Sequence, residues 1–317
     1  IAKETVIAPE VLADRAIAAR LFGDFPYGRP PTGSAESLAR VDRADLLLAR
    51  ERFLNSNNAT LTIIGGVPRN RAIRALRQLL GPWRKSEQIV PTTFRQALEP
   101  DQRTLIINAP SEQSTEIRLA TRGLARSDPD SNIAAILGIV ARQRWEKLSP
   151  ENTRRPLFVR HEPHVLPGMF VMGAGVDTLL AANALKQARE VMQSLVNVPV
   201  TEAELALARN ELNAQRAKDL ARPEGIARVW LDGDTFGLQA NNVATTAIDA
   251  VSAADLQRVA TRLFKDAPVA SIVVGDAKQL QAALQPNTKI EMMGEVDPKP
   301  AKPETKPTMT IPIKKPE

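Results

Sequence analysis

Val41-Asp42-Arg43-Ala44-Asp45-Leu46 has a counterpart 210 positions later in Val251-Ser252-Ala253-Ala254-Asp255-Leu256. In the same register, Thr60-Leu61-Thr62-Ile63-Ile64-Gly65 corresponds to Ala270-Ser271-Ile272-Val273-Val274-Gly275 without a gap. Each copy opens with an Asp or Ser helix cap, followed three residues later by an aspartate. An apolar helix, a β-branched strand that ends at glycine, and an amphipathic helix then follow in both copies. The pattern indicates a duplicated helix–strand–helix unit, which we call the first copy (residues 41–80) and the second copy (residues 251–284).

The spacing of the two copies also predicts the domain organisation. The second copy closes a segment that begins near Arg103, so a whole repeat is about 185 to 200 residues long. Moved back by 210 positions, the same repeat would begin about 110 residues before Ile1. We therefore expect residues 1–85 to be the C-terminal part of a first domain that is incomplete at its N-terminus, followed by a linker (86–102) and a second domain (103–290). Residues 291–317 are rich in Pro and Lys and predict a disordered tail.

The composition excludes several classes of site and function. The 317 residues include no cysteine, which excludes disulfides, thiolate metal sites and a cysteine nucleophile. The net charge of +6 is spread along the chain and aromatic residues make up only 4%, so we expect no nucleic-acid binding. No apolar run approaches the roughly 18 residues that span a bilayer, so we expect no membrane span.

The remaining patterns predict an α+β fold. Residues 104–108 and 115–121 have the alternation of strands, and residues 169–176 predict a third strand. Asp128-Pro129-Asp130 predicts a helix with Asp128 as its cap and Pro129 at the first position. Antiparallel strands followed by helices indicate mixed or antiparallel sheets, each covered by helices on one face. The strands within residues 104–121 are expected to offer edges to which an extended peptide could add.

Several segments resemble the insulinase/pitrilysin family of zinc metallopeptidases. In the N-terminal part these are Phe25-Pro26-Tyr27-Gly28-Arg29-Pro30 and Asn58-Ala59-Thr60-Leu61. Further along they are Asp128-Pro129-Asp130, Pro167-Gly168-Met169-Phe170 and Val200-Thr201-Glu202-Ala203-Glu204-Leu205. The resemblance covers residues 9–285 and is to bacterial two-domain members that are like mitochondrial processing peptidase. It implies duplicated metallopeptidase-like α+β domains, in agreement with the two copies.

The resemblance implies zinc chemistry for which this chain carries no recognisable ligands. The family uses an inverted motif, with two histidines and a glutamate base on one helix and a distal glutamate as third ligand. The only histidines here, His161 and His164, stand in His-Glu-Pro-His, where Pro163 prevents a regular helix. Glu4 and Glu10 do not fall in the register of the distal ligand. We therefore predict neither metal ligands nor catalytic residues in this chain, although zinc is expected for the family.

The substrate-binding pair of the family is also missing. The resemblance implies an arginine and a tyrosine seven residues apart, and Pro150 and Leu157 occupy those positions. Three nearby arginines are candidates for substrate binding: Arg154, Arg155 and Arg160. The alternative interpretation of these three residues is a basic surface loop.

The sequence thus favours a non-catalytic homologue, or a C-terminal portion, of an insulinase/pitrilysin-like zinc metalloendopeptidase. We expect it to form half of a clamshell chamber for peptides with a zinc-bearing partner, either a homologous subunit or its own missing N-terminal half. Two alternatives stay open. One is a fragment of an active, self-sufficient zinc metalloprotease whose His-x-x-Glu-His motif lies upstream of residue 1, and the other is a purely structural subunit. The tail and the lack of cysteine fit a bacterial periplasmic protein.

Overall fold

The computed structural model describes residues 8–86, 97–109, 114–149, 153–238, 246–285 and 288–293. The longer helices are α1 (Pro9–Phe22), α2 (Ala35–Ala39), α3 (Arg43–Phe53), α4 (Arg69–Leu80), α5 (Ser131–Leu148), α6 (Ala181–Asn197), α7 (Glu202–Leu220), α8 (Pro223–Thr235), α9 (Thr246–Asp249), α10 (Ala253–Phe264) and α11 (Ala277–Leu284). The strands are β1 (Thr104–Asn108), β2 (Ser114–Arg122), β3 (Thr153–Glu162), β4 (Met169–Asp177), β5 (Ala270–Gly275) and β6 (Ile290–Met292). Short 3-10 helices lie at Pro26–Gly28, Ser56–Asn58 and Thr178–Leu180.

These six strands form one mixed sheet in the order β3-β4-β2-β5-β1-β6. The first four strands in this order, β3-β4-β2-β5, form antiparallel pairs, whereas β1 runs parallel to both β5 and β6. The predicted α+β class with a mixed sheet is confirmed. The expectation that β1 and β2 offer free edges is wrong, because each has a paired strand on both sides. The edges of this sheet are β3 and β6.

One face of the sheet packs against a layer of helices from the second domain. Side chains alternate along each strand, so Ile117 and Leu119 of β2 point into this layer, as do Phe170 and Met172 of β4. Helices α5, α6, α7, α10 and α11 supply the facing apolar residues, and Trp145 of α5 is fully buried among them. This layer forms the main core of the protein.

The other face of the sheet is covered by α1, which comes from the N-terminal part of the chain. Ala13, Ile17 and Leu21 recur at a spacing of four residues and form one apolar stripe of this helix. The stripe is buried against the sheet, where Ile272 and Val274 of β5 belong to the same apolar cluster. The sequence predicted helices on one face only, and the packing of α1 on the second face corrects that expectation.

Three helix starts follow capping signals that are visible in the sequence. The side chains of Asp42, Thr201 and Ser252 each accept a hydrogen bond from the backbone N–H three residues on, which completes the capping boxes of α3, α7 and α10. The predicted start of α5 at Pro129 is wrong. Asp128 instead closes a turn by accepting the Asp130 backbone N–H at 2.9 Å, and the helix begins after it.

Three predicted segments have a different outcome. Residues 60–65 were expected to form a strand, but no strand is assigned there and no described strand pairs with them. Residues 87–96 of the expected linker and 294–317 of the expected tail lie outside the described residues. β6 spans Ile290–Met292. The domain limits stay predictions.

Candidate functional site

The two histidines do not fit a zinc site. His161 lies near the end of β3, and its Nε2 accepts a hydrogen bond from the Leu124 backbone N–H at 3.0 Å. Burial lowers the pKa of His161 to about 4. His164 follows Pro163 and its ring packs on Tyr27 with the centroids 4.5 Å apart. In the parts of the chain that the structure describes, no group of three His, Asp or Glu side chains could hold a metal ion.

The main concentration of buried charge lies on the sheet face beneath α1. Arg118 and Glu116 of β2 are each only 2% exposed, and Arg118 Nη1 donates to Glu116 Oε2 at 3.0 Å. Arg118 Nε also donates to Asp14 Oδ1 of α1 at 2.6 Å. From β3, Arg155 Nη1 lies 2.8 Å from Glu10 Oε2 and 3.2 Å from Glu116 Oε1. We call these five charged residues the sheet-face cluster.

Two glycines of β4 make room for the sheet-face cluster. Gly173 pairs with Arg118, and Gly175 pairs with Glu116 across the β2–β4 ladder. A Cβ atom on Gly173 would lie 2.3 Å from the Phe158 ring, and one on Gly175 would lie 2.7 Å from Glu116 Oε1. A side chain at either position would force the Phe158 ring or the Glu116 carboxylate to shift.

Each carboxylate of the cluster contacts an arginine, with three carboxylates sharing two arginines. Glu10 and Asp14 of α1 meet Arg155 and Arg118 of the sheet, and the hydrogen bond from Arg155 lowers the pKa of Glu10. Buried charges are stable only when they are paired, and removing one partner is costly. The arrangement therefore clamps α1 onto the sheet. Its carboxylates are engaged by arginines, which fits a structural contact between α1 and the sheet.

The three arginines predicted to bind substrate lie on β3 in different surroundings. Arg155 belongs to the sheet-face cluster, whereas Arg154 pairs with Asp177 at the end of β4. Arg160 pairs with Glu162 at 3.0 Å and stacks over the Phe158 ring at 4.3 Å. The structure thus brings Arg118 and Arg160 together around the Phe158 ring, whereas Arg155 lies in the sheet-face cluster and Arg154 beside Asp177. Their role in substrate binding stays a prediction.

Sequence reasoning missed Glu116 and Arg118. The alternation of residues 115–121 marks them as facing away from the helix layer, which normally means exposure to water. They are buried because α1, about 100 residues earlier in the chain, covers that face. The only local signal was the pair of glycines at 173 and 175, opposite the two charges.

A second candidate site is an exposed apolar surface on the first copy. None of the described residues of the first copy belongs to either apolar core. Leu46 of α3 is 63% exposed, and Leu61 in the predicted strand is 60% exposed. Other large apolar side chains on this surface are also exposed: Leu47, Leu48, Phe53, Leu54, Ile63, Val67, Leu79 and Leu80. We call this set the first-copy surface. Surfaces of this kind mark interaction sites.

Helix α8 stands beside the first-copy surface and is itself poorly covered. None of its described residues belongs to an apolar core, and Trp230 is 59% exposed. The Thr60 hydroxyl donates to the Asp234 carboxylate of α8, and Arg126 Nη2 donates to Asp232 at 3.2 Å. The first contact places α8 next to Thr60 of the first copy, and the second ties α8 to the turn that follows β2.

Parts of the chain match a known protein family and known proteins. Residues 40–140 match the model described as the peptidase M16 inactive domain, which runs from the first copy into α5. An uncharacterised zinc protease of Mycobacterium bovis is 22% identical over 211 residues, which are 64% of this chain and 48% of that protein. The chain therefore spans about half the length of the curated relative that it matches. In the described residues, no helix is long and apolar enough to cross a membrane.

Solved structures share this fold. A peptidase M16 inactive domain from Pseudomonas fluorescens superposes with a TM-score of 0.73 at 17% identity, covering 85% of this chain and 66% of that one. A protease from Helicobacter pylori gives a TM-score of 0.73 at 16% identity, covering 84% of this chain and 67% of that one. At these identities the likeness establishes the fold alone.

Proposed function

We propose that the chain, which is similar to insulinase-family (M16) peptidases, is a non-catalytic part of a peptidase assembly. It forms half of a clamshell chamber for peptides, and the other half carries the zinc. That half is either a homologous subunit or an N-terminal portion of the same protein. No step of peptide hydrolysis is assigned to this chain, because the described residues provide neither a fitting zinc site nor an activated nucleophile.

The observation that carries this proposal is the contrast between the first and second copies. The second copy packs its helices and strand into the main core, whereas the same pattern in the first copy leaves its apolar side chains in water. The predicted strand at residues 60–65 has the β-branched sequence of β5 but lacks a neighbouring strand among the described residues. A sheet supplied from outside the described residues would cover the exposed apolar side chains and would pair with residues 60–65.

The positions of α1 and α8 support the same arrangement. Both helices begin with Pro-Glu, at Pro9 and at Pro223, and each precedes one copy of the repeat by a similar distance. Helix α1 lies on the sheet that contains the second copy. By analogy with α1, α8 covers the proposed sheet that the first copy joins. Trp230 of α8 becomes buried against that sheet.

In the proposed chamber, the peptide binds along β3. This strand is an edge of the sheet, so its outer backbone groups are available for pairing with an extended peptide. Arg154 and Arg160 of this strand are about half exposed and offer positive charge to acidic peptide groups. A periplasmic location is part of the proposal and is carried only by the sequence pattern.

The proposal is tested by reconstitution with a zinc-bearing M16 subunit of the same organism. We expect the chain alone to contain no stoichiometric zinc and to cleave no fluorogenic peptide, and the mixture to form a complex with peptidase activity that a chelator removes. Leu61→Asp should abolish complex formation. Leu179→Asp, at an exposed leucine of the second domain, is the matched control and should leave it intact.

Two outcomes would overturn the proposal. Zinc binding and peptide cleavage by the isolated 317-residue chain would show that it is itself the catalyst. If Leu61→Asp had no effect on an active complex, the first-copy surface would not be its docking site. The alternative of a self-sufficient zinc protease is distinguished by the intact mass of the natively purified protein, together with its zinc content. A purely structural subunit would form the complex without changing its activity.

A further inference from the structure

A cleft lies at the end of the sheet where β1 and β5 begin. It has a volume of about 1110 Å³ and is bounded by α6, the end of α11 and residues 100–103. This volume suits a small organic ligand or a chain end. The cleft shares no residue with the sheet-face cluster, and an inference about it does not rest on the proposed peptidase assembly.

Arg189 of α6 is the central cation of this cleft. Its Nη2 donates to Ser271 Oγ at 2.8 Å and to Thr104 Oγ1 at 3.3 Å, and these two hydroxyls are fully buried and 2.8 Å apart. The hydroxyl groups are neutral, so they orient the guanidinium without neutralising it. Burial lowers the pKa of Arg189, which shows that its environment disfavours the uncompensated charge.

Arg189 has no acidic partner among the described residues, in contrast to Arg144. Arg144, a largely buried arginine of the same domain, binds both carboxylate oxygens of Glu204. No carboxylate of a described residue lies within ion-pair distance of Arg189, and its Nε and Nη1 make no hydrogen bond to a described residue. Two N–H directions of a fixed guanidinium are thus available to a ligand.

Two lysines also line the cleft. Lys186 lies one turn before Arg189 on α6 and pairs with Glu190 at 3.7 Å, and Lys289 lies next to β6. The one acidic residue of the lining, Asp101, is held by Arg103 at 2.6 Å and by Arg20 at 3.4 Å. That pairing lowers the pKa of Asp101 to about 2, so the carboxylate belongs to Arg103 and does not neutralise Arg189.

We propose that this cleft binds a small oxyanion, a carboxylate or a phosphate group, with Arg189 as its anchor and Lys186 and Lys289 as flanking cations. The free N–H groups of Nε and Nη1 can each donate a charge-assisted hydrogen bond to an oxygen in the cleft. The buried hydroxyls of Thr104 and Ser271 hold the guanidinium in place before the ligand arrives, which reduces the ordering cost of binding.

The test uses the whole chain with two probes, inorganic phosphate and acetate, each compared with chloride at equal ionic strength and pH. We expect one or both anions to raise the unfolding temperature of the wild type in a saturable way. Arg189→Gln should weaken the binding by about tenfold or more, the loss expected for a charge-assisted contact. The probe that works identifies the source of the oxyanion.

Arg228→Gln is the matched control, because it removes the same charge from an exposed position on α8. It should bind the anion like the wild type. If Arg189→Gln does not fold, the double variant Lys186→Gln/Lys289→Gln at two exposed positions should weaken binding instead. The proposal is overturned if neither anion stabilises the wild type, or if the effect falls equally in Arg228→Gln, which would make it a general response of a basic protein to salt.

Discussion

The first and second copies carry the same sequence pattern in two different environments. Leu46 and Leu256 stand at equivalent positions of α3 and α10, yet Leu46 is 63% exposed and Leu256 is fully buried. Residues 270–275 form the central strand β5, whereas the equivalent residues 60–65 form no strand. The capping boxes of the two helices are formed in both copies. Local signals therefore act in both environments, but a strand and a core need neighbours from elsewhere in the fold.

The largest expected effect concerns α1, the one N-terminal element that packs as tightly as the second copy. Arg118→Met removes the cation that pairs with Asp14 and one of the two that contact Glu116, and it should destabilise the protein by about 3–5 kcal/mol. Chemical denaturation measures the loss. Arg154→Met removes an exposed ion pair with Asp177 and should change stability by less than about 1 kcal/mol. Equal losses in the two variants would mean that the clamp on α1 is not built as described.

A matched pair of leucine substitutions tests the comparison at equivalent positions. Leu256→Ala opens a cavity in the main core and should lower the free energy of unfolding by about 2–5 kcal/mol. Leu46→Ala should change it by no more than about 0.5 kcal/mol in the chain alone, since the side chain already faces water. Similar costs at both positions would show that the first copy has a core of its own. A cost at Leu46 that appears only with the partner would sharpen the account.

We expect His161, in the second domain, to make the stability of the protein depend on pH. The pKa of His161 is about 4 in the fold and 6.5 when unperturbed, so the unfolded chain takes up the proton first. The stability of the fold with neutral His161 is fully present above pH 6.5. It is lost as the pH falls towards 4, at no more than about 1.4 kcal/mol per pH unit. Free energies of unfolding at pH 7 and pH 5 should differ less in His161→Gln than in the wild type. An unchanged difference would contradict the assignment.

The smallest effect compares two capping residues. Ser252→Ala removes the cap of a helix that belongs to the core and should cost about 1 kcal/mol of global stability. Asp42→Ala removes an equivalent cap, but α3 packs into neither core, so global unfolding should not change. Denaturant midpoints of the two variants provide the measurement. A global cost for Asp42→Ala would indicate that the first copy unfolds together with the second domain.

The same contrast explains how much of the molecule could be predicted. Caps such as Thr201 with Glu204 were predictable because the partners lie within one helical turn. The alternation that placed β2 was also local, and it was confirmed. The sheet-face cluster was not predictable, because the burial of Glu116 depends on α1, far away in sequence.

Residues 60–65 failed as a predicted strand for the opposite reason. Their β-branched pattern is as strong as that of β5, but hydrogen bonds to neighbouring strands, rather than side-chain preference, complete a sheet. The structural role of His161 was hidden too, since its partner is a backbone N–H of Leu124 that only the folded chain brings close.

Hydrogen–deuterium exchange on the chain alone tests the central claim most directly. The account predicts that the backbone amides of residues 271–274, inside the paired strand β5, exchange slowly and open only with global unfolding. The amides of residues 61–64 should exchange at nearly unprotected rates, and should become protected when a zinc-bearing M16 subunit is bound. Strong protection of residues 61–64 in the chain alone would contradict the account, because it would show that the first copy already has its sheet.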